Sequence, residues 1–237
     1  MSAPTPLNEE QRLNALYEYG LLDTDAEQDY DELVKLASQI CCCPIALMVL
    51  LDKDRQWFKA RVGLAARETP RDQAFCAHAI LEPTKIMVVP DATRDDRFAA
   101  NPLVTGDPKI RFYAGAPMTT TDGLALGTLC VIDREARGLS VEQSSALATL
   151  ARQASRLIEL RRVSSALADA LSEVKVLEGL LPICAYCKNI RDEKGEWHRI
   201  ERYVIDRTAA KFTHGICPDC AKERYPDLDL TGGGNGY

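Results

Sequence analysis

The stretch FYAGAPMTTTDGLALGTLCVID, residues 112–133, decides the fold. Two apolar runs, Phe112 to Thr119 and Leu126 to Asp133, flank Thr121-Asp122-Gly123, a turn that suits an antiparallel hairpin. A second hairpin is written upstream. Ile45 to Leu51 is a β-branched and aliphatic run that reads as a buried strand, and Asp52-Lys53-Asp54 turns the chain. Gln56 to Val62 returns it, alternating Trp57, Lys59 and Arg61 against Phe58, Ala60 and Val62. Helices precede the sheet. Leu13, Leu16 and Tyr17 recur at helical spacing in Asn8 to Tyr19, as do Tyr30, Leu33, Val34, Ala37 and Ile40 in Asp25 to Ile40, where Pro44 stops the pattern. Between the hairpins a helical piece is expected over Gln73 to Leu81 and a strand over Ile86 to Val89. Asp91 to Lys109 reads as a long loop with a single helical turn near Arg97-Phe98. A long helix starts at Ser140, where Ser140 and Gln143 make a capping box. The sum is an α+β domain, an antiparallel sheet with helices laid on it.

The remaining composition bounds the function. A chain of 237 residues, 46% hydrophobic and 27% charged, is long enough for one or two domains with a full core. Its longest apolar run is far short of the ~20 residues of a spanning helix, and Met1 to Arg12 lacks the pattern of a secretory signal. A cytoplasmic protein is expected, without membrane contact. The net charge of −6 argues against a nucleic-acid surface over the whole molecule.

Nine cysteines fall into two populations. Cys41, Cys42, Cys43, Cys76 and Cys130 sit in apolar sequence and read as small packing residues. Cys184, Cys187, Cys217 and Cys220 form two Cys-x-x-Cys pairs separated by 29 residues. Two such knuckles suit one tetrahedral Zn2+, with an extra helix at Ile200 to Ala209 taking up the long interval. Cys220 leads into Ala221-Lys222-Glu223-Arg224, a helix start of the treble-clef kind. The competing reading is two redox-active pairs or an iron–sulfur site. His214, three residues before Cys217, either replaces a cysteine as ligand or, as expected with four cysteines present, donates to a ligand thiolate.

Between the two regions the apolar pattern tightens to a heptad. Leu160, Leu167, Val174 and Leu181 fall seven apart, with Val163, Ala170 and Leu177 between them. Such a seam marks a coiled coil and a homodimer, against the alternative of a helix lying back on its own domain. The expected layout is a sensory domain over 1–159, a coiled-coil linker helix over 160–181, a zinc-finger-like domain over 182–228 and a disordered tail over 229–237. From Pro182 onward the acidic and basic residues balance, so the finger carries no net charge for nucleic acid.

The first 160 residues resemble the GAF family of small-molecule sensory domains, in the branch found beside histidine kinases and diguanylate cyclases. The strings that carry the resemblance are Arg12-Leu13-Asn14-Ala15-Leu16, Asp54-Arg55-Gln56-Trp57-Phe58-Lys59 and Arg67-Glu68-Thr69-Pro70-Arg71. Phe75-Cys76-Ala77-His78-Ala79-Ile80, Asn101-Pro102, Arg111-Phe112-Tyr113-Ala114-Gly115-Ala116-Pro117 and Gly127-Thr128-Leu129-Cys130-Val131-Ile132-Asp133 extend it. The segment from Leu180 to Cys220 is similar to segments that close many bacterial sensory proteins. The resemblance implies a six-stranded antiparallel sheet with a ligand pocket on one face and dimerisation through terminal helices. It places Cys76 and His78 on the helix over that pocket. Asp91, Arg97, Arg111 and Tyr113, from the long loop and the strand after it, are the other expected ligand contacts. The pattern of cyclic-nucleotide-binding relatives is missing.

The reading these features support is a non-enzymatic signalling module: a GAF sensor, a dimeric helix and a zinc-binding finger that acts through a protein partner. No kinase, cyclase or phosphodiesterase motif is evident. A thiol-dependent reductase of free methionine sulfoxide and a zinc-finger regulator of nucleic acid are the alternatives. The first needs a nucleophilic Cys76.

Overall fold

The computed structural model describes residues 3–173, 181–208 and 210–225. They form two compact units, one ending at Ala166 and the other beginning at Leu167. In the first unit, helices α1 (Glu9–Glu18) and α2 (Gln28–Cys41) lead into strands β1 (Ile45–Leu51), β2 (Arg55–Val62) and β3 (Glu68–Pro70). A 3-10 turn at Arg71–Gln73 precedes α3 (Phe75–Ala79), β4 (Met87–Val89) and α4 (Pro102–Thr105). Strands β5 (Phe112–Thr119) and β6 (Ala125–Asp133) complete the sheet, and α5 (Val141–Glu173) follows.

The six strands lie in the order β3-β2-β1-β6-β5-β4, every neighbouring pair antiparallel. All seven residues of β1 are buried, because it sits between β2 and β6 with both faces covered. Alternation sorts them. Ala46, Met48 and Leu50 join the core under α1, α2 and α5, whereas Ile45, Leu47, Val49 and Leu51 join a second core with Phe75, Phe98 and Tyr113. Gly127 lets β6 lie against β1, since a Cβ there would sit 1.9 Å from the carbonyl oxygen of Val49.

The alternation expected along β2 breaks at Lys59. Met48 pairs with Ala60 and Val49 with Phe58, so Lys59 is the extra residue of a β-bulge. Phe58 faces the second core, but Ala60 and Val62 share the first core with Trp57. The bulge aims Lys59 inward, where it is 4% exposed. Its ammonium donates to Thr24 Oγ1 at 2.7 Å, the Asp25 carbonyl at 2.7 Å and Glu27 Oε1 at 2.6 Å. Glu27 is also 3.2 Å from the guanidinium of Arg161 on α5.

Helix α5 begins on the capping box. The Gln143 N–H donates to Ser140 Oγ and the Ser140 N–H to Gln143 Oε1. Leu147, Ala151, Ala154 and Ile158 are its buried face, packed on the first core. Other boundaries differ from expectation. Strand β3 lies where no strand was read, since three residues at a sheet edge carry no periodicity. The helix expected over Gln73 to Leu81 is cut to α3 by the preceding 3-10 turn. The long loop contains α4, capped by Asn101 Oδ1 accepting from the Leu103 N–H, rather than only a turn near Phe98.

In the second unit, β7 (Ile190–Arg191) and β8 (Trp197–His198) pair as a hairpin, followed by α6 (Ile200–Arg207) and α7 (Pro218–Arg224). Ile190, Tyr203 and Ala221 are its buried apolar side chains among the described residues. Val174 and Leu177 of the heptad, and the tail over 229–237, lie outside the described residues. Among those described, no helix is long and apolar enough to cross a membrane.

Candidate functional site

The second core does not fill its face of the sheet. A cavity of about 230 Å³ lies there. Its floor is the alternate residues Ile45, Leu47 and Val49 of β1, with Phe58 from β2, Tyr113 from β5, and Cys130 and Ile132 from β6. Phe75 of α3 closes one side. Leu103 of α4, with Asp107, Pro108 and Ile110 after it, closes another. The lining residues with the most solvent contact, Ala66 and Asp107, mark the mouth.

Few polar groups reach this space. Gln56 donates its amide to Thr69 Oγ1, and both line the cavity. Gln56 Oε1 in turn accepts from the Cys76 thiol at 2.9 Å. Tyr113 lies flat against Gly115, where a Cβ would meet its hydroxyl at 2.2 Å, and that hydroxyl is 3.4 Å from Thr128 Oγ1. Burial pushes the Cys130 thiol up to about 12 and the Tyr113 phenol well above its ordinary range. Burial also raises Cys76, so all three are neutral donors at physiological pH. A raised thiol is the opposite of what a nucleophilic cysteine requires, which removes support from a thiol reductase.

Of the six expected ligand contacts, Tyr113 is the one among the residues lining this cavity. Cys76 is buried one hydrogen bond behind the lining residue Gln56. His78 is half-buried, its ring edge-on to Phe98, and Phe98 stacks on Phe75 at 3.9 Å. Asp91 closes a turn by accepting from the Thr93 N–H and hydroxyl, which holds its carboxyl below the usual range. Arg97 is exposed, paired with Asp95 at 2.6 Å and lying over Phe98. Arg111 donates to the carbonyls of Val104 and Ile110 and so fastens the loop beside the mouth. The sequence reading missed Gln56 and Thr69. A glutamine within an apolar strand was the available signal.

In the second unit each cysteine pair forms its own knuckle. The backbone N–H groups of Cys187 and Tyr186 point at the Cys184 sulfur and hold its thiol below the ordinary range. Lys188, with φ 61°, turns the chain there, its N–H donating to the Cys184 carbonyl. Cys217 caps α7, its sulfur accepting from the Cys220 N–H, which lowers its pKa, while Cys217 raises that of Cys220. Backbone donors at sulfur are the setting of a metal-bound thiolate. The two pairs are not joined in one cluster. Among the described residues, Asp192, Glu196 and His198 are the group whose ligand atoms lie within 4.8 Å of one another. That group could coordinate a metal, but its geometry already has a use. Asp192 accepts from the N–H groups of Lys194 and Glu196 and meets His198 Nε2 at 2.8 Å, which staples the hairpin turn. His214 is exposed.

The fold has counterparts in known proteins. The chain is 48% identical over 144 residues, 61% of its length, to a protein of Pseudomonas aeruginosa named a cyclic di-GMP phosphodiesterase. It spans 24% of that protein's length. This similarity overturns the expectation of a non-enzymatic module. Among solved structures, the blue-light-absorbing form of the PixJ GAF domain of Thermosynechococcus elongatus shares the fold. It has 15% identity and a TM-score of 0.50, over 72% of this chain and 99% of that one. The GAF domain of an Acinetobacter phosphoenolpyruvate-protein phosphotransferase, 20% identical, gives a TM-score of 0.48 over 70% of this chain and 96% of that one. Residues 25–158 match the GAF domain family, and with the sheet order and the cavity on its second face the chain is a member of that family.

Proposed function

We propose that the chain is a sensory module of cyclic di-GMP signalling, in which a small molecule in the GAF cavity biases how α5 pairs with α5 of a second copy. The observation that carries this is the exposed stripe on α5. Leu160, Val163 and Leu167 are 63%, 49% and 59% exposed. At ~100° per residue they lie about half a turn around the helix from Leu147, Ala151, Ala154 and Ile158. A helix covering only its own domain needs one apolar face, and this one has two. The heptad spacing suits a second copy of the same helix. A ligand acts through such a pair only as far as it prefers one arrangement over the other.

The link to cyclic di-GMP is supported by the phosphodiesterase relative. Zinc at Cys184, Cys187, Cys217 and Cys220 is supported by the four thiols and by the N–H groups that face Cys184 and Cys217. Bound there, the ion would cross-link two knuckles of a unit with little apolar core of its own.

The test is sedimentation equilibrium of the Leu160→Asp, Leu167→Asp double variant. It should be monomeric, with the sensory domain folded and metal content unchanged. A dimer with the wild-type dissociation constant refutes the pairing. Metal analysis should find one zinc per chain, lost in Cys184→Ser and Cys217→Ser. Stoichiometric iron, or no metal, refutes that part.

A further inference from the structure

The geometry points to an uncharged, largely apolar ligand for the GAF cavity, close in size to a substituted benzene ring and carrying one hydrogen-bond acceptor. The inference rests on the sensory reading above and names the chemistry the site would recognise.

Size sets the first limit. An apolar cavity of roughly 150 Å³ takes up benzene. The present one, at about 230 Å³, adds room for a short substituent. A cyclic dinucleotide, with two bases, two riboses and two phosphates, does not fit within it.

Charge sets the second. Among the described residues that line the cavity there is no lysine, arginine or histidine. The ionised group is the carboxylate of Asp107, exposed at the mouth. A phosphate or carboxylate drawn inside would lose its water, pass a like charge and meet no cation. The thiol of Cys130 and the phenol of Tyr113 are neutral and give no counter-charge to an ammonium either.

Hydrogen bonding sets the third. Gln56 has two amide hydrogens and spends one on Thr69 Oγ1, while its Oε1 accepts from Cys76. The second amide hydrogen and the hydroxyl hydrogen of Thr69 remain as donors on one wall. The floor of the cavity is the aliphatic row of β1 with Ile132 of β6. A ligand satisfies both surfaces by turning a carbonyl, ether or hydroxyl oxygen toward Gln56 and Thr69 and an apolar body toward Leu47, Val49 and Ile132. On this account cyclic di-GMP is not the molecule sensed here, whatever the module controls.

Acetophenone, benzoate and cyclic di-GMP, titrated into the full chain with the methyl signals of Leu47, Val49 and Ile132 followed by NMR, test this. Acetophenone should shift these signals saturably, and benzoate, the same ring with a carboxylate, should bind at least about tenfold more weakly. Cyclic di-GMP should move none of them. Thr69→Val, on the partly exposed edge strand β3, should weaken acetophenone by about tenfold, and Ile132→Phe should abolish its binding by filling the space. If Ile132→Phe fails to fold, Thr69→Val carries the test alone. Benzoate or cyclic di-GMP binding as tightly as acetophenone at these methyls overturns the inference, as does acetophenone that never saturates or that binds Thr69→Val unchanged. Acetophenone that binds as expected but leaves the monomer–dimer equilibrium untouched upholds the ligand class and overturns the sensory reading.

Discussion

Replacing Lys59 by methionine keeps the stem of the side chain and removes the charge that the β-bulge points inward. The ammonium makes three hydrogen bonds, at 2.6 to 2.7 Å, and its side chain is 0% exposed. Breaking a buried ion pair by deleting one partner costs about 3–5 kcal/mol when the other charge stays buried. Here the other charge does not stay buried. The Glu27 side chain is 38% exposed and keeps Arg161, so its carboxylate can rehydrate. Asp25 is exposed as well. Losing the ammonium also relieves the cost of having desolvated it. A net loss of about 2 kcal/mol follows from these offsets. Urea unfolding followed by fluorescence in a Trp197→Phe background reads this unit, because the remaining Trp57 is 8% exposed in its core. The midpoint should fall with the slope unchanged. Glu27→Gln should lose much of its own effect once Lys59 is methionine, because the two groups share one interaction. A Lys59→Met variant within about 0.5 kcal/mol of wild type, the range of ordinary surface changes, refutes the reasoning. So does strict additivity of the two substitutions.

Three further outcomes follow from other sites. Burial raises the Glu9 carboxyl, but hydrogen bonds from Arg12 and Arg71 outweigh it and hold the pKa at about 2. The unfolded chain binds that proton more readily, so this contribution is complete above about pH 5 and is lost as pH falls toward about 2. Glu9→Gln should flatten the loss of urea stability over that window, and an unaltered pH profile would count against the ion cluster. Gly127→Ala must push β1 and β6 apart, so it should cost about 3 kcal/mol or leave the chain unfolded, as circular dichroism during thermal unfolding will show. Native alkylation by iodoacetamide, mapped by mass spectrometry, should modify Cys42 and spare Cys41, Cys43, Cys76 and Cys130, because Cys42 alone of these is exposed. Rapid labelling of Cys76 would mean that the packing of α3 behind Gln56 opens readily.

Residues with a period could be read without coordinates. The seven apolar residues of β1, the Asp-Gly turn between β5 and β6 and the Ser140 capping box each carry a local physical signature. Strand β3 carries none, for it is three residues long and exists by pairing with β2. The bulge at Lys59 is hidden for a related reason. A bulge is a mismatch between two strands, and the sequence of β2 alone shows only an alternation that looks unbroken. Of the cavity, Tyr113 was legible from its place on the strand after the long loop. Gln56 and Thr69 were not, since the cavity they line forms only where the strands of the sheet, α3 and the segment around α4 come together. The cysteine pairs stood out by spacing, which identifies the knuckles but not the distance between them.

Helix α5 is held by its own domain as far as Ile158 and Arg161. Beyond that point Val163, Leu167 and Leu171 are exposed, as is Leu160, over a length at which an isolated helix in water is marginal. With a second copy as its partner, winding of this stretch and association of the chains become one equilibrium, governed by mass action. The amount of protein in the cell then acts as an input in its own right. Under the proposed pairing, scarce chains would leave this stretch frayed whatever the cavity holds, and abundant chains would wind it without any ligand. Under that pairing the concentration of the chain would set the threshold at which a bound molecule is heard.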